Sequence, residues 1–221
     1  MPASYDYAQG GWASEIFEVL ASLGAIALAV CGLTGILAPI LAAAATIVLG
    51  VALAADGVGL LRRYKWTGGR DEGAWSAPLR FAVLVAGLMG AALAVFALFG
   101  ADPAFLTPVA SALFGAGLIL RSNVVWELSL RELAHSTKRD SLSLRAEAAG
   151  NDAAVFALAG FVSGALASIA AAGGPNDLTL NLVAIVVAAS TLVLWSRVAM
   201  AVAARLLQPT LFIRRRTPIA R

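Results

Sequence analysis

Residues Leu23–Tyr64 constrain this chain more than any other stretch: LGAIALAVCGLTGILAPILAAAATIVLGVALAADGVGLLRRY. Two apolar segments are separated by Ala38-Pro39 and closed by the basic Arg62-Arg63 pair. Each is close to the roughly 20 residues an α-helix needs to cross the hydrocarbon core of a bilayer. A soluble domain carries about 25% charged residues, whereas this chain has 13% and is 60% hydrophobic. The missing charge leaves long uninterrupted apolar runs, which argue for lipid as the solvent rather than for a large soluble core. The first run follows Asp6, Glu15 and Glu18 rather than a basic segment, so no cleavable signal peptide is expected.

The predicted fold is all-α: six transmembrane helices in a single domain over residues 1–221. The spans fall at Ile16–Leu37, Ile40–Leu61, Leu79–Phe99, Ala104–Leu120, Ala153–Ala172 and Leu178–Leu207. Ser14 is placed to cap the first helix, and Trp12, Ile16, Phe17 and Leu20 to start it along the interface. Pro39, Gly100–Pro103 and Gly173–Pro175 punctuate the hairpins. Val124, Val125, Leu128 and Leu133 extend the fourth helix beyond Arg121. Connectors at 62–80 and 121–152, the second partly helical, and a basic tail at 208–221 complete the chain. The odd spans align on Gly24, Gly90 and Gly164, and then on Gly35, Gly100 and Gly174 before their turns. This pattern predicts three pseudo-repeated hairpins, about 16–64, 79–134 and 153–207.

Basic residues give the orientation. All 16 Lys and Arg lie at or beyond the ends opposite the three short turns. The positive-inside rule puts that side in the cytoplasm, with both termini there. All five tryptophans map to the same half. Only two lysines (Lys65 and Lys138) occur in an Ala- and Arg-rich chain, which points to a bacterial source and hence to the bacterial inner membrane.

Charges inside spans are the first functional suspects, because burying one costs about 2.5–3.5 kcal/mol on insertion scales. Asp56, Arg121 and Arg197 occupy equivalent levels of the even-numbered spans, counted from Gly50, Gly115 and Thr191. They form a candidate intramembrane charge cluster, read either as a register-fixing ion pair or snorkelling at the interface, or as a charged gate or proton-linked site. Gly24, Gly90, Gly160 and Gly164 are candidate helix-packing positions, the last two in GxxxG spacing. Arg214, Arg215 and Arg216 are placed to contact anionic lipid. His135, the sole histidine, lies outside the spans, so no haem, His-built metal centre or other cofactor is expected. Neither catalytic residues nor a nucleic-acid-binding pattern emerge, and an enzyme is not expected. Cys31 is read as a small core residue.

Gly32-Leu-Thr-Gly35-Ile-Leu-Ala-Pro39, Val48-Leu-Gly50 and Asp56-Gly57 before Arg62-Arg63 resemble the HdeD-like family of small bacterial membrane proteins. The resemblance covers about 40 residues, 23–64. The later hairpins have Arg121-Ser122 and Arg197-Val198 in place of Asp56-Gly57. The resemblance implies a non-enzymatic six-helix protein of the inner membrane, associated with envelope stress or acid resistance, and singles out Asp56 and Gly57. Two alternatives stand beside it: an accessory subunit of a larger membrane complex or homo-oligomer, and a small-solute or proton pathway through the bundle.

Overall fold

In a computed structural model, residues 5–66, 76–100, 102–135, 139–174 and 176–196 are described, except for side chains at several helix ends. Six helices account for nearly all of them: α1 Tyr5–Leu33, α2 Ala38–Trp66, α3 Ser76–Leu98, α4 Pro103–His135, α5 Arg139–Ala171 and α6 Asp177–Leu194. Each contains a segment long and apolar enough to span a membrane, from Ile16–Leu33 in α1 to Asp177–Leu194 in α6. An all-helical multi-pass membrane protein is therefore the architecture. In lipid each backbone N–H and C=O needs an internal partner, and a helix supplies it.

The three tight turns are built by one device. Gly35, Gly100 and Gly173 take positive φ of 84°, 95° and 77°, closing the helix before them. In two of the three, proline then starts the next helix: Pro103 is the first residue of α4, and Pro39 sits in the first turn of α2. There its missing N–H costs nothing. The first turn accordingly spans 34–37 rather than Ala38-Pro39, and α1 ends at Leu33 rather than Leu37. Leu37 itself is left-handed, with φ 51°. In the third turn the left-handed residue is Gly173, not Gly174.

Other boundaries also move. α1 runs through Ser14, which therefore does not cap it. α4 continues to His135 and α5 starts at Arg139, so the connector expected at 121–152 is mostly helix. α6 is helical to Leu194, and positions 197–207 of the expected last span lie outside the described residues.

Packing runs round the bundle, α1 to α6 and back to α1, with the even helices also touching one another at the centre. Among the described residues, α1, α3 and α5 make no mutual backbone contacts and sit outside the α2–α4–α6 triangle. The central layer is Leu49, Leu53, Phe114, Leu118, Ile185 and Leu192, all essentially inaccessible. Outward faces carry Phe81, Phe96, Leu158 and Phe161, exposed as lipid-facing residues are. The most extensive contacts are α4 with α5 and α2 with α3, pairs whose chain connections lie at the end opposite the turns at Gly35, Gly100 and Gly173. Glycine explains both seams. A Cβ on Gly50 would meet the Gly87 carbonyl oxygen at 2.8 Å, and one on Gly115 would meet that of Gly160 at 2.6 Å. Without side chains there, the backbones come into direct contact, and that packing replaces the hydrophobic drive absent in lipid. Ser163 Oγ adds an interhelical hydrogen bond, donating to the Ala184 carbonyl at 3.0 Å.

Candidate functional site

The charged residues inside the bundle gather at the end opposite the tight turns. Asp56 stands late in α2 and Arg121 midway along α4, and the two meet: Arg121 Nη1 lies 3.0 Å from Asp56 Oδ2. The same Nη1 donates to Glu18 Oε1 of α1 at 3.5 Å. Among the described residues, the backbones of α1 and α4 do not touch, so the long Arg121 and Glu18 side chains bridge them. The three side chains are nearly buried, at 12% exposure for Arg121 and 10% for each carboxylate.

An aromatic wall completes the arrangement. The Arg121 guanidinium carbon lies 4.4 Å from the centroid of the Phe156 ring on α5. A cation over an aromatic face gains about 0.5–2 kcal/mol, the more when desolvated. Phe156 meets Trp195, just beyond α6, edge to face at 6.0 Å between centroids. One guanidinium thus ties α1, α2, α4 and α5 together, with the end of α6 behind.

Arg80 brings a second buried guanidinium, 2% exposed and itself engaged in an interaction. It lies one turn from Leu84, whose backbone sits against Gly57, the residue after Asp56. Among the described residues, two nearly buried carboxylates, Glu18 and Asp56, and two guanidiniums, Arg80 and Arg121, therefore occupy this end of the bundle, and the formal charges of these four cancel. At an effective dielectric near 20, each Arg121–carboxylate contact is worth on the order of 5 kcal/mol before desolvation. Desolvation takes most of that back, so the net gain is small while breaking the set is costly.

The sequence-predicted residues divide clearly. Asp56 and Arg121 are brought together; Arg197 and Arg214–Arg216 lie outside the described residues. Glu18 and Arg80 were not singled out by sequence. The usable signal was that both stand within the first turn of their spans on the basic side, near the level of Asp56 and Arg121. Among the packing glycines, Gly90 faces the Phe114 ring and Gly160 faces the Gly115 backbone. Gly164 is the backbone that Gly115 approaches, yet its own Cβ would find only ordinary contact at 4.0 Å. Gly24 is not a close-approach position: a Cβ there would meet Val48 Cγ1 at 3.8 Å. Cys31 is exposed rather than packed in the core.

Comparison with known protein families, curated proteins and solved structures finds no match to this chain.

Proposed function

We propose that the chain is a non-catalytic structural protein of the bacterial inner membrane, akin to the HdeD-like proteins and serving envelope stress or acid resistance. Its termini face the cytoplasm, and its buried charges hold the helices in register rather than carry ions. One observation supports this above others: a single guanidinium forms ion pairs with carboxylates from two helices and packs on an aromatic ring from a third. The central apolar layer of Leu49, Leu53, Phe114, Leu118, Ile185 and Leu192 lies beyond it, between the charges and the tight-turn end. Such a closed, neutralised set is suited to fixing which helix faces which, a role for which buried ionic groups are known. The basic ends on one side support the orientation.

Reconstitution into liposomes with a trapped pH-sensitive dye tests the reading. The protein should leave proton flux at the level of protein-free liposomes. Flux above that level, abolished by Asp56→Asn, would instead make the cluster a proton pathway. Deletion in the source bacterium should lower survival at acid pH, and complementation by the intact gene should restore it.

A further inference from the structure

Two of the three tight turns end in large apolar side chains. Among the described residues, Phe99 at 87% and Ile36 at 71% are the two most exposed side chains of that kind, and Leu37 beside Ile36 is 64% exposed. Leu37 also holds φ 51°, a left-handed conformation that glycine or asparagine adopts at lower cost. These residues continue the outward faces of the helices without a break. Val30 and Leu33 lead along α1 to Ile36, and Ile40 carries the exposed face on into α2. Phe96 leads along α3 to Phe99, and Phe105 opens α4. We infer that the turns at Gly35 and Gly100 are lipid anchors: Ile36, Leu37 and Phe99 insert among acyl chains just beneath the headgroups of the leaflet on the tight-turn side.

Length, composition and hydrogen bonding each bear on that choice. At about 1.5 Å rise per residue, Pro39 lies about 25 Å from the level of Asp56, and Pro103 about 27 Å from that of Arg121. The hydrocarbon core is about 30 Å thick. With the buried charges near one edge of that core, the turns reach the other edge without clearing the headgroups. Residues 23–61, 81–120 and 153–194 hold no Trp, Tyr, Lys or Arg, the residues that seat a helix end at headgroup level. Phe, Ile and Leu stand there instead, and these favour the hydrocarbon. The backbone of both turns is largely closed on itself, as scarce water requires. The N–H groups of Thr34 and Gly35 donate to the Cys31 and Gly32 carbonyls at 3.1 and 3.0 Å, and the Gly100 N–H to that of Ala97 at 3.2 Å. Thr34 Oγ1 adds a bond to the Cys31 carbonyl at 2.7 Å. Asp102 is exposed beyond Gly100 and marks the water side of its turn. The third turn, with Gly173, Gly174 and Asn176 exposed, has no large apolar residue among those described and so no anchor. A protein partner fits less well than lipid. Even at about 250 Å² apiece, the most an aromatic side chain buries, the three anchors fall short of the roughly 800 Å² per partner of a stable interface. The inference rests on the six-span fold and holds whichever compartment the turns face, so it is independent of the structural reading of the charges.

Spin labels on the full chain in phospholipid nanodiscs test it. In a Cys31→Ala background, Ile36→Cys, Phe99→Cys and Gly173→Cys are labelled in separate proteins, so a variant that fails to fold leaves the other turn to decide. Collisions with oxygen, which enters hydrocarbon, are compared with collisions with a polar nickel chelate, which does not. The oxygen-to-nickel ratio at positions 36 and 99 should exceed that at 173 on the order of threefold or more, because a polar solute is excluded from the acyl region. A ratio at 36 and 99 no higher than at 173 would put the anchors in water. Low accessibility to both reagents at 36 and 99 would put them against protein, a second copy of this chain included. Either result would overturn the inference.

Discussion

Adding a single methyl group tests whether backbone contact holds the bundle together. At Gly115 a Cβ would lie 2.6 Å from the Gly160 oxygen, 2.7 Å from the Gly164 nitrogen and 2.8 Å from its Cα. Ordinary contact begins near 3.4 Å, so α4 and α5 would have to part by about 0.8 Å, the difference from 2.6 Å. No side chain can turn aside, because all three atoms are backbone. Overpacking of this kind costs about 1–3 kcal/mol. A gap of 0.5–1 Å also forfeits a quarter to a half of the dispersion well for atoms along the seam. Alanine returns about 1 kcal/mol of helix propensity, so Gly115→Ala should be net destabilising by about 2 kcal/mol. Gly160→Ala should behave alike, with the Gly115 oxygen at 2.5 Å. Gly164→Ala, Gly24→Ala and Gly59→Ala meet nothing closer than 3.8 Å and should be neutral or stabilising by up to about 1 kcal/mol. Reversible unfolding in mixed micelles, followed by tryptophan fluorescence, gives the five values. If Gly115→Ala proves as stable as the parent, or if Gly164→Ala costs as much, the seam argument fails.

Further expectations concern other parts of the chain. Asn181→Leu removes a buried amide that lacks hydrogen-bond partners among the described residues and should stabilise the protein by about 1–3 kcal/mol in the same unfolding assay; a loss of that size would mean the amide is satisfied. In a Cys31→Ala background, cysteines at Gly100 or Gly173 should react with a membrane-impermeant maleimide in intact cells, and one at Gly69 only after permeabilisation; the reverse pattern would invert the topology. Phe156→Leu removes the ring beneath Arg121 and should cost about 0.5–2 kcal/mol more in the parent than in an Arg121→Met background; equal costs would remove the cation–π contact from the account.

Hydropathy made the spans legible, because a bilayer imposes length and composition on each helix regardless of its neighbours. Asp56 and Arg121 were legible for a related reason: a charge inside an apolar run is conspicuous. Glu18 and Arg80 escaped because each stands near the start of its span, where it reads as part of a polar flank. Only the closed ring of helices, which brings α1 and α4 within side-chain reach at that level, gives Glu18 its partner. Proline signalled the turns but misplaced the first, since Pro39 begins α2 rather than breaking the chain; Gly35 does the turning. Gly160 and Gly164 were visible as a spacing, yet spacing alone does not distinguish the glycine that needs to be one from the glycine that is merely approached.

The structural role of the charge cluster is tested most directly by comparing one substitution with four. Arg121→Met leaves Glu18 and Asp56 buried beside an apolar side chain and should cost about 3–5 kcal/mol of unfolding free energy. Replacing the whole set, by Glu18→Gln, Asp56→Asn, Arg80→Met and Arg121→Met together, leaves no charge to compensate. That variant should recover most of the loss. A fourfold variant as unstable as Arg121→Met alone would contradict the account.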